Sequence, residues 1–148
     1  MKIVKENLFE FERGLDPKEV LNLGKIKKMK EWLSQFIFNS QYTINQDYTI
    51  DIKGDFIITD NHTISEIPDY IQFNICNGYF ICNGGHLKNL FGCPKNIRGD
   101  FYAAYNKIEN LNGSPEIVEG DYVIKGNNAK FTKEEIRKLC EVGGNVIV

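Results

Sequence analysis

"IRGDFYAAYNKIENLNGSPEI", residues 97–117, runs directly into "VEGDYVIKGNNAKF", residues 118–131. Together they write Gly-Asp-aromatic twice, 21 residues apart, with an Asn seven residues beyond each Gly. The same frame extends upstream. Gly54, Gly78, Gly99 and Gly120 stand 24, 21 and 21 residues apart, and each has an aromatic residue two positions on: Phe56, Phe80, Phe101 and Tyr122. Ile52, Cys76, Ile97 and Val118 precede the glycines by two, and Ile58, Cys82, Ala103 and Ile124 follow by four. The seventh position after each Gly holds Asn61, Gly85, Asn106 or Asn127, and the first three units close on Pro68, Pro94 and Pro115. A fixed period of this length marks a repeat architecture in which each unit buries its apolar face only against its neighbours.

Within a unit the apolar residues alternate, which is the period of a strand. "FYAAYNKI" and "FICNGGHL" place alternating residues before an Asn, or once a Gly, and then another apolar residue. This resembles the strand-and-turn segment of leucine-rich repeats. The resemblance implies one short parallel strand per unit and an Asn side chain bonding the backbone of the turn, and it spans residues 50–130. A one-residue insertion at His62-Thr63 and Gly85 in place of Asn depart from it. The linkers "NLFGCPKN" and "NLNGSPEI" carry turn chemistry and leave no room for a long helix, so the return arm is expected to be irregular or a 3₁₀ turn.

A solenoid needs covered ends. Thr132 and Glu135 form a capping box for a helix in "FTKEEIRKLCEVGG", with Ile136, Leu139 and Cys140 as its apolar stripe and Gly143 as its stop. "NVIV" reads as a final strand. At the other end Asp16 caps a helix that begins at Pro17, with Glu19 completing the box. Gly24 is expected to interrupt it before "KIKKMKEWLSQFIF" resumes with Ile26, Met29, Leu33 and Phe36 on one face. "YTINQDYTIDI" alternates about a Gln-Asp turn and reads as a hairpin. The expected architecture is therefore α+β: a short parallel-β solenoid of degenerate leucine-rich-like repeats of about 21 residues. It forms a single domain with a cap over 1–50, repeats over 51–130 and a helix-and-strand cap over 131–148.

"FERGLDPKEVLNLG", an amphipathic helix and then units with "GCP" and "GDF" also resemble small leucine-rich-repeat-like proteins of tailed bacteriophages and some bacteria. That resemblance implies a phage-encoded accessory protein acting in the cytoplasm of a bacterial host, as an inhibitor or adaptor of a bacterial protein.

Composition narrows the function. The 148 residues carry a net charge of -2, which argues against nucleic acid as the main partner. No run of about 18 apolar residues exists and "MKIVKENLFEFERG" has no apolar signal core, so the chain reads as unsecreted and without a membrane partner. Cys76, Cys82 and Cys93 occupy columns filled elsewhere by Ile, Val, Ala or Ser and lack any C-x₂-C pair, which makes them core thiols rather than metal ligands; Cys140 reads the same way. His62 and His86 share a turn column that continues as Lys107 and Asn128, and read as exposed turn residues rather than a metal or pH-sensing pair. No hydrolase, metalloprotease or phosphate-loop motif is present, and Asp55, Asp100 and Asp121 share a column without a paired base or nucleophile. Neither catalysis nor a cofactor is expected. Lys25, Lys27, Lys28 and Lys30 surround a helix near Trp32 and leave contact with nucleic-acid phosphates or acidic lipid as a lesser alternative, but residues 1–40 hold eight Lys/Arg against six Asp/Glu, so the segment reads first as a solvated face.

The strongest functional signal is the outward side of the repeats. With the aromatic column inward, the alternation turns Ile57, Ile81, Tyr102 and Val123 outward as an apolar ridge, beside Tyr79, Asp100 and Asp121 at the strand starts and Tyr105 just beyond a strand end. A contiguous exposed apolar patch marks an interface. The eight residues Ile57, Tyr79, Ile81, Asp100, Tyr102, Tyr105, Asp121 and Val123 are thus the expected protein-binding face, serving a bacterial partner or, alternatively, a homo-oligomer.

Overall fold

A computed structural model describes residue 14, residues 16–37 and residues 41–148, with the side chain of residue 60 excepted. The reading of the first thirteen residues as lacking a signal core falls outside the described residues. The chain divides into two compact units, Met1–Gln35 and Phe36–Val148.

In the first unit, helix α1 spans Pro17–Leu33. Its start follows the sequence: Asp16 Oδ1 accepts the Glu19 N–H at 2.9 Å, and Glu19 Oε2 accepts the Asp16 N–H at 3.0 Å. The helix runs through Gly24 without a break, contrary to expectation. One internal glycine costs about 1 kcal/mol, which a helix of 17 residues with good formers on both sides absorbs. Met29, Trp32 and Leu33 are buried, and the helix ends at Ser34, before Phe36.

The second unit is a β-solenoid of about four turns, built from two sheets. Strands β1 (Tyr42–Ile44), β2 (Thr49–Ile52), β4 (Gln72–Cys76), β6 (Asn96–Ile97), β8 (Ile117–Val118) and β10 (Glu141–Val142) form the first sheet in that order. Strands β3 (Phe56–Ile58), β5 (Phe80–Cys82), β7 (Phe101–Tyr102), β9 (Tyr122–Val123) and β11 (Val146–Ile147) form the second. All pairings are parallel except β1 with β2, the expected hairpin.

Each turn thus holds two strands where the repeat resemblance implied one. The apolar column two residues before the glycine pairs as a sheet of its own, with Ile52, Cys76, Ile97, Val118 and Val142 in register. The glycine is the corner between the two sheets. Gly99 N–H donates to the Gly78 carbonyl at 2.9 Å, Gly120 to Gly99 at 3.0 Å and Gly144 to Gly120 at 3.0 Å, so the corners stack backbone on backbone. A Cβ on Gly99 would come within 2.7 Å of the backbone carbonyl of Gly78, and Gly78, Gly120 and Gly144 meet the corner before them equally closely, so these four positions tolerate no side chain, whereas Gly54, with no corner before it, has open space there.

The aromatic column fills the interior. Phe56 and Phe80 stack with centroids 5.0 Å apart, Phe101 meets Tyr122 edge-on at 4.9 Å, and Phe73 from the first sheet packs on Phe56 at 4.8 Å and Phe80 at 5.4 Å. Phe56, Phe73, Phe80, Phe101 and Tyr122 have no exposed surface. Tyr122 brings a hydroxyl into this core, and Ser114 meets it at 2.7 Å, at the place where the preceding unit has Cys93.

The return arms between turns are irregular as expected, with one 3₁₀ turn at Asp60–His62. The C-terminal helix α2 (Lys133–Leu139) has the predicted box, Thr132 Oγ1 accepting from Glu135 N–H at 3.1 Å and Glu135 Oε2 from Thr132 N–H at 2.8 Å. It stops at Cys140, which turns extended, and not at Gly143. Gly143-Gly144 is instead the corner of a fifth strand pair, with Val146 registered on Tyr122 and Ile147 on Val123. Leu139, expected on the apolar stripe, is 55% exposed.

Candidate functional site

The outward face of the second sheet carries one column in continuous register, Ile57, Ile81, Tyr102, Val123 and Ile147. Five parallel strands at about 4.8 Å spacing give this row a length of about 19 Å. Exposure along it is uneven. Ile57 is 42% exposed and Ile147 37%, Ile81 and Tyr102 are half-buried, and Val123 is buried at 7%. The expected ridge is therefore apolar throughout but open chiefly at its ends, and Val123 gives way to Ile147 as the accessible member. Ile147 was missed because its unit keeps the Val-x-Gly corner but replaces Asp-aromatic with Asn145-Val146, and its Gly pair resembles a helix stop.

Two tyrosines flank this row, each seated on a glycine of the following turn. Tyr79 is 48% exposed, and a Cβ on Gly99 would fall within 2.6 Å of its ring. Tyr105 is 60% exposed with its ring against Gly126, and the Lys125 ammonium stands 5.6 Å from its centroid. Tyr105 also has φ 55, a left-handed conformation that bulky residues rarely adopt, while Gly126 in the next turn has φ 74. A ring held against a glycine has few rotamers to lose on binding, a property of interface anchors.

The aspartates have a structural duty. Asp55 Oδ1 accepts the Tyr79 N–H at 2.8 Å, Asp100 Oδ1 the Asp121 N–H at 2.7 Å and Asp121 Oδ1 the Asn145 N–H at 2.7 Å. Asp100 and Asp121, expected as free members of the binding face, are half-buried rungs that tie one corner to the next. Tyr79, in the same column, offers no carboxylate to the turn above it, so the ladder skips a rung there.

The asparagine column also works between turns. Asn106, buried at 6%, accepts the Leu87 N–H on Oδ1 at 3.1 Å and donates Nδ2 to the carbonyls of Cys82 at 2.9 Å, Ala104 at 3.2 Å and Ala103 at 3.3 Å. Asn127 accepts from Ile108 and donates to Ala103 and Ile124. In the first turn, displaced by the insertion, His62 makes a local bond instead: its Nδ1 accepts the Thr59 N–H of the same turn at 3.0 Å, and its ring lies 4.6 Å from that of Phe36. Asn61 and His86 are exposed.

All four cysteines are buried and unpaired. Burial raises the Cys76 thiol to about 11, Cys82 to about 12 and Cys140 to about 11, and pushes Cys93 up as well. Among the described residues no group of three His, Cys, Asp or Glu is placed to hold a metal ion, and no helix is long and apolar enough to cross a membrane. The class these features define is a two-sheeted β-solenoid with an apolar, tyrosine-flanked outer face. No family model, curated protein or solved structure matches the chain.

Proposed function

We propose that this protein is a protein-binding module whose second sheet docks a partner on its outer face. Ile57, Tyr79, Ile81, Tyr102, Tyr105 and Ile147 form the contact. The observation that carries the reading is the pair of exposed tyrosines seated on glycines beside an apolar row, because rigid aromatic anchors next to apolar surface are what protein interfaces are enriched in. The resemblance to leucine-rich-repeat-like phage proteins supplies the partner: a bacterial host protein, which the module inhibits or recruits as an adaptor in the host cytoplasm. The net charge of -2 supports a protein over a nucleic acid.

The test is capture from a bacterial lysate by the immobilised protein and three variants, each checked for a native melting curve. Ile57→Asp and Tyr102→Asp are expected to lose the partner that the parent retains, by about tenfold or more, and Lys30→Glu on α1 to keep it. Full recovery by both folded outer-face variants rejects the face. Loss with Lys30→Glu alone moves the function to the helix.

A further inference from the structure

The two sheets begin differently at the first turn. In the first sheet β1 pairs along β2, whereas the second sheet begins at β3. Phe56 N–H donates to the Tyr79 carbonyl at 2.9 Å and Asn83 N–H to the Ile58 carbonyl at 2.8 Å, so the alternation of a parallel ladder turns the N–H and C=O of Asp55 and Ile57 away from β5. Among the described residues these four groups have no partner. Asp55 and Ile57 are exposed, and the edge stops at Thr59, whose N–H is held by His62 Nδ1. The later turns show what such a corner binds. The N–H that follows the corner glycine receives a carboxylate oxygen from an earlier turn at Tyr79, Asp121 and Asn145, over 2.8, 2.7 and 2.7 Å. Asp55 N–H is the same group with no turn before it. Inside, the Phe36 ring lies 5.2 Å from that of Phe56, close to the 5.0 Å between Phe56 and Phe80, so the aromatic place of a preceding turn is filled while its strand is missing.

We propose that β3 receives an extended acidic segment of a partner protein, parallel to it and written Asp-small-aliphatic. The segment's aspartate accepts the Asp55 N–H, a charge-assisted bond of the kind that joins the later corners. Its small residue donates to the Asp55 carbonyl and accepts the Ile57 N–H, and the residue after the aliphatic one donates to the Ile57 carbonyl, which is strand addition to an open sheet edge. The second position must be small because it faces the space that Phe36 fills, and the aliphatic side chain continues the outward row beside Ile57. A carboxylate next to that of Asp55 is no obstacle, since Asp100 and Asp121 already stand in successive turns of this column. A second copy stacked head to tail does not supply the segment: its last corner holds Asn145 where the carboxylate is needed, and Arg137 stands on the Gly144 carbonyl. The inference does not rest on the outer-face reading, because its bonds are to the backbone of β3.

The experiment titrates the full chain into a labelled, end-blocked peptide Gly-Asp-Ala-Ile-Ala, read by fluorescence anisotropy, with amide hydrogen exchange by NMR on the same samples. Saturable binding is expected, with the Asp55 and Ile57 amides protected only when the peptide is present. Asn in place of the peptide's Asp, or Phe in place of its first Ala, is expected to weaken binding about tenfold or more. Ile57→Pro removes an outward donor and no bond to β5, and is expected to weaken it likewise. The two peptide variants leave the protein untouched, so a failure of Ile57→Pro to fold does not spare the proposal. No binding, equal binding of the Asn peptide, or binding that leaves both amides exchanging freely overturns it. So does protection of these amides without peptide: independent of concentration it means that the chain covers its own edge, and rising with concentration it means that a second copy does.

Discussion

Asp100 Oδ1 accepts the backbone N–H of Asp121 at 2.7 Å, and the same oxygen occupies the space that a Cβ on Gly120 would need. Carboxylate and glycine are thus two halves of one joint, which explains why Gly-Asp is written as a pair. Gly120→Ala is expected to destabilise by about 1–3 kcal/mol through overpacking at a corner that cannot spread. Adding Asp100→Ala removes part of the clash but not the contact with the Gly99 backbone, so the double variant should lose less than the sum of the singles. Denaturant unfolding of the four proteins measures this, and strict additivity would break the link between the two residues.

Asn106→Ala removes the acceptor for Leu87 and the donor for three carbonyls inside the stack. Leaving such buried groups unpaired costs about 1–3 kcal/mol. Asn61, at the same sequence position of the first unit, is exposed, so Asn61→Ala should stay within about 0.5 kcal/mol. Equal melting temperatures for the two variants would contradict the division of labour between them.

This contrast shows where the sequence was legible. The repeat period located the glycine corners, the inward aromatics and the working asparagines, because each is fixed by contact with the turn stacked next to it. The hairpin and both helix starts were readable from alternation and capping boxes. What resisted was anything decided between turns in three dimensions. That Asp100 and Asp121 face the next backbone, that Val123 is covered and that Tyr79 lies over Gly99 follow from how closely the corners approach, and a linear spacing does not carry that distance. Of the fifth strand pair the final strand was read from "NVIV" and is found at Val146–Ile147, but its place in the repeat columns and its partner β10 escaped, since Val146 replaces the aromatic residue.

The buried thiols make the fold sensitive to alkali. Below the ordinary thiol pKa of about 8.5 both folded and unfolded chains are protonated and the cysteines contribute no pH dependence. Above it the unfolded chain releases protons that the core retains, because burial raises Cys76 and Cys140 to about 11 and Cys82 to about 12. Tyr122, also raised by burial, joins from about pH 10. The unfolded state then binds fewer protons than the native one, so stability is whole at neutral pH and falls as pH rises through this window. Urea midpoints from about pH 7 to about pH 11 should decline, and serine at Cys82 should not restore them because it leaves a buried hydroxyl. A flat profile would mean that the thiols ionise as freely in the native state as in the unfolded one.

Tyr105 offers a way to separate stability from binding. Its φ of 55 is strained for a side chain of this size, and conformations of this kind cost about 1–3 kcal/mol. The compensations in view are surface contacts, a ring against Gly126 and an ammonium at 5.6 Å, and an exposed cation–π pair contributes about 0.5–1 kcal/mol. Glycine adopts the same backbone without strain, as Gly126 does one turn later with φ 74. Tyr105→Gly is therefore expected to leave the melting temperature unchanged or higher while reducing partner capture about tenfold, since the anchor is gone. Tyr105→Phe, which retains the ring, should keep both properties of the parent. If Tyr105→Gly instead unfolds at a clearly lower temperature, the ring is a structural support for the last turns, and the strain at this position needs no partner to account for it.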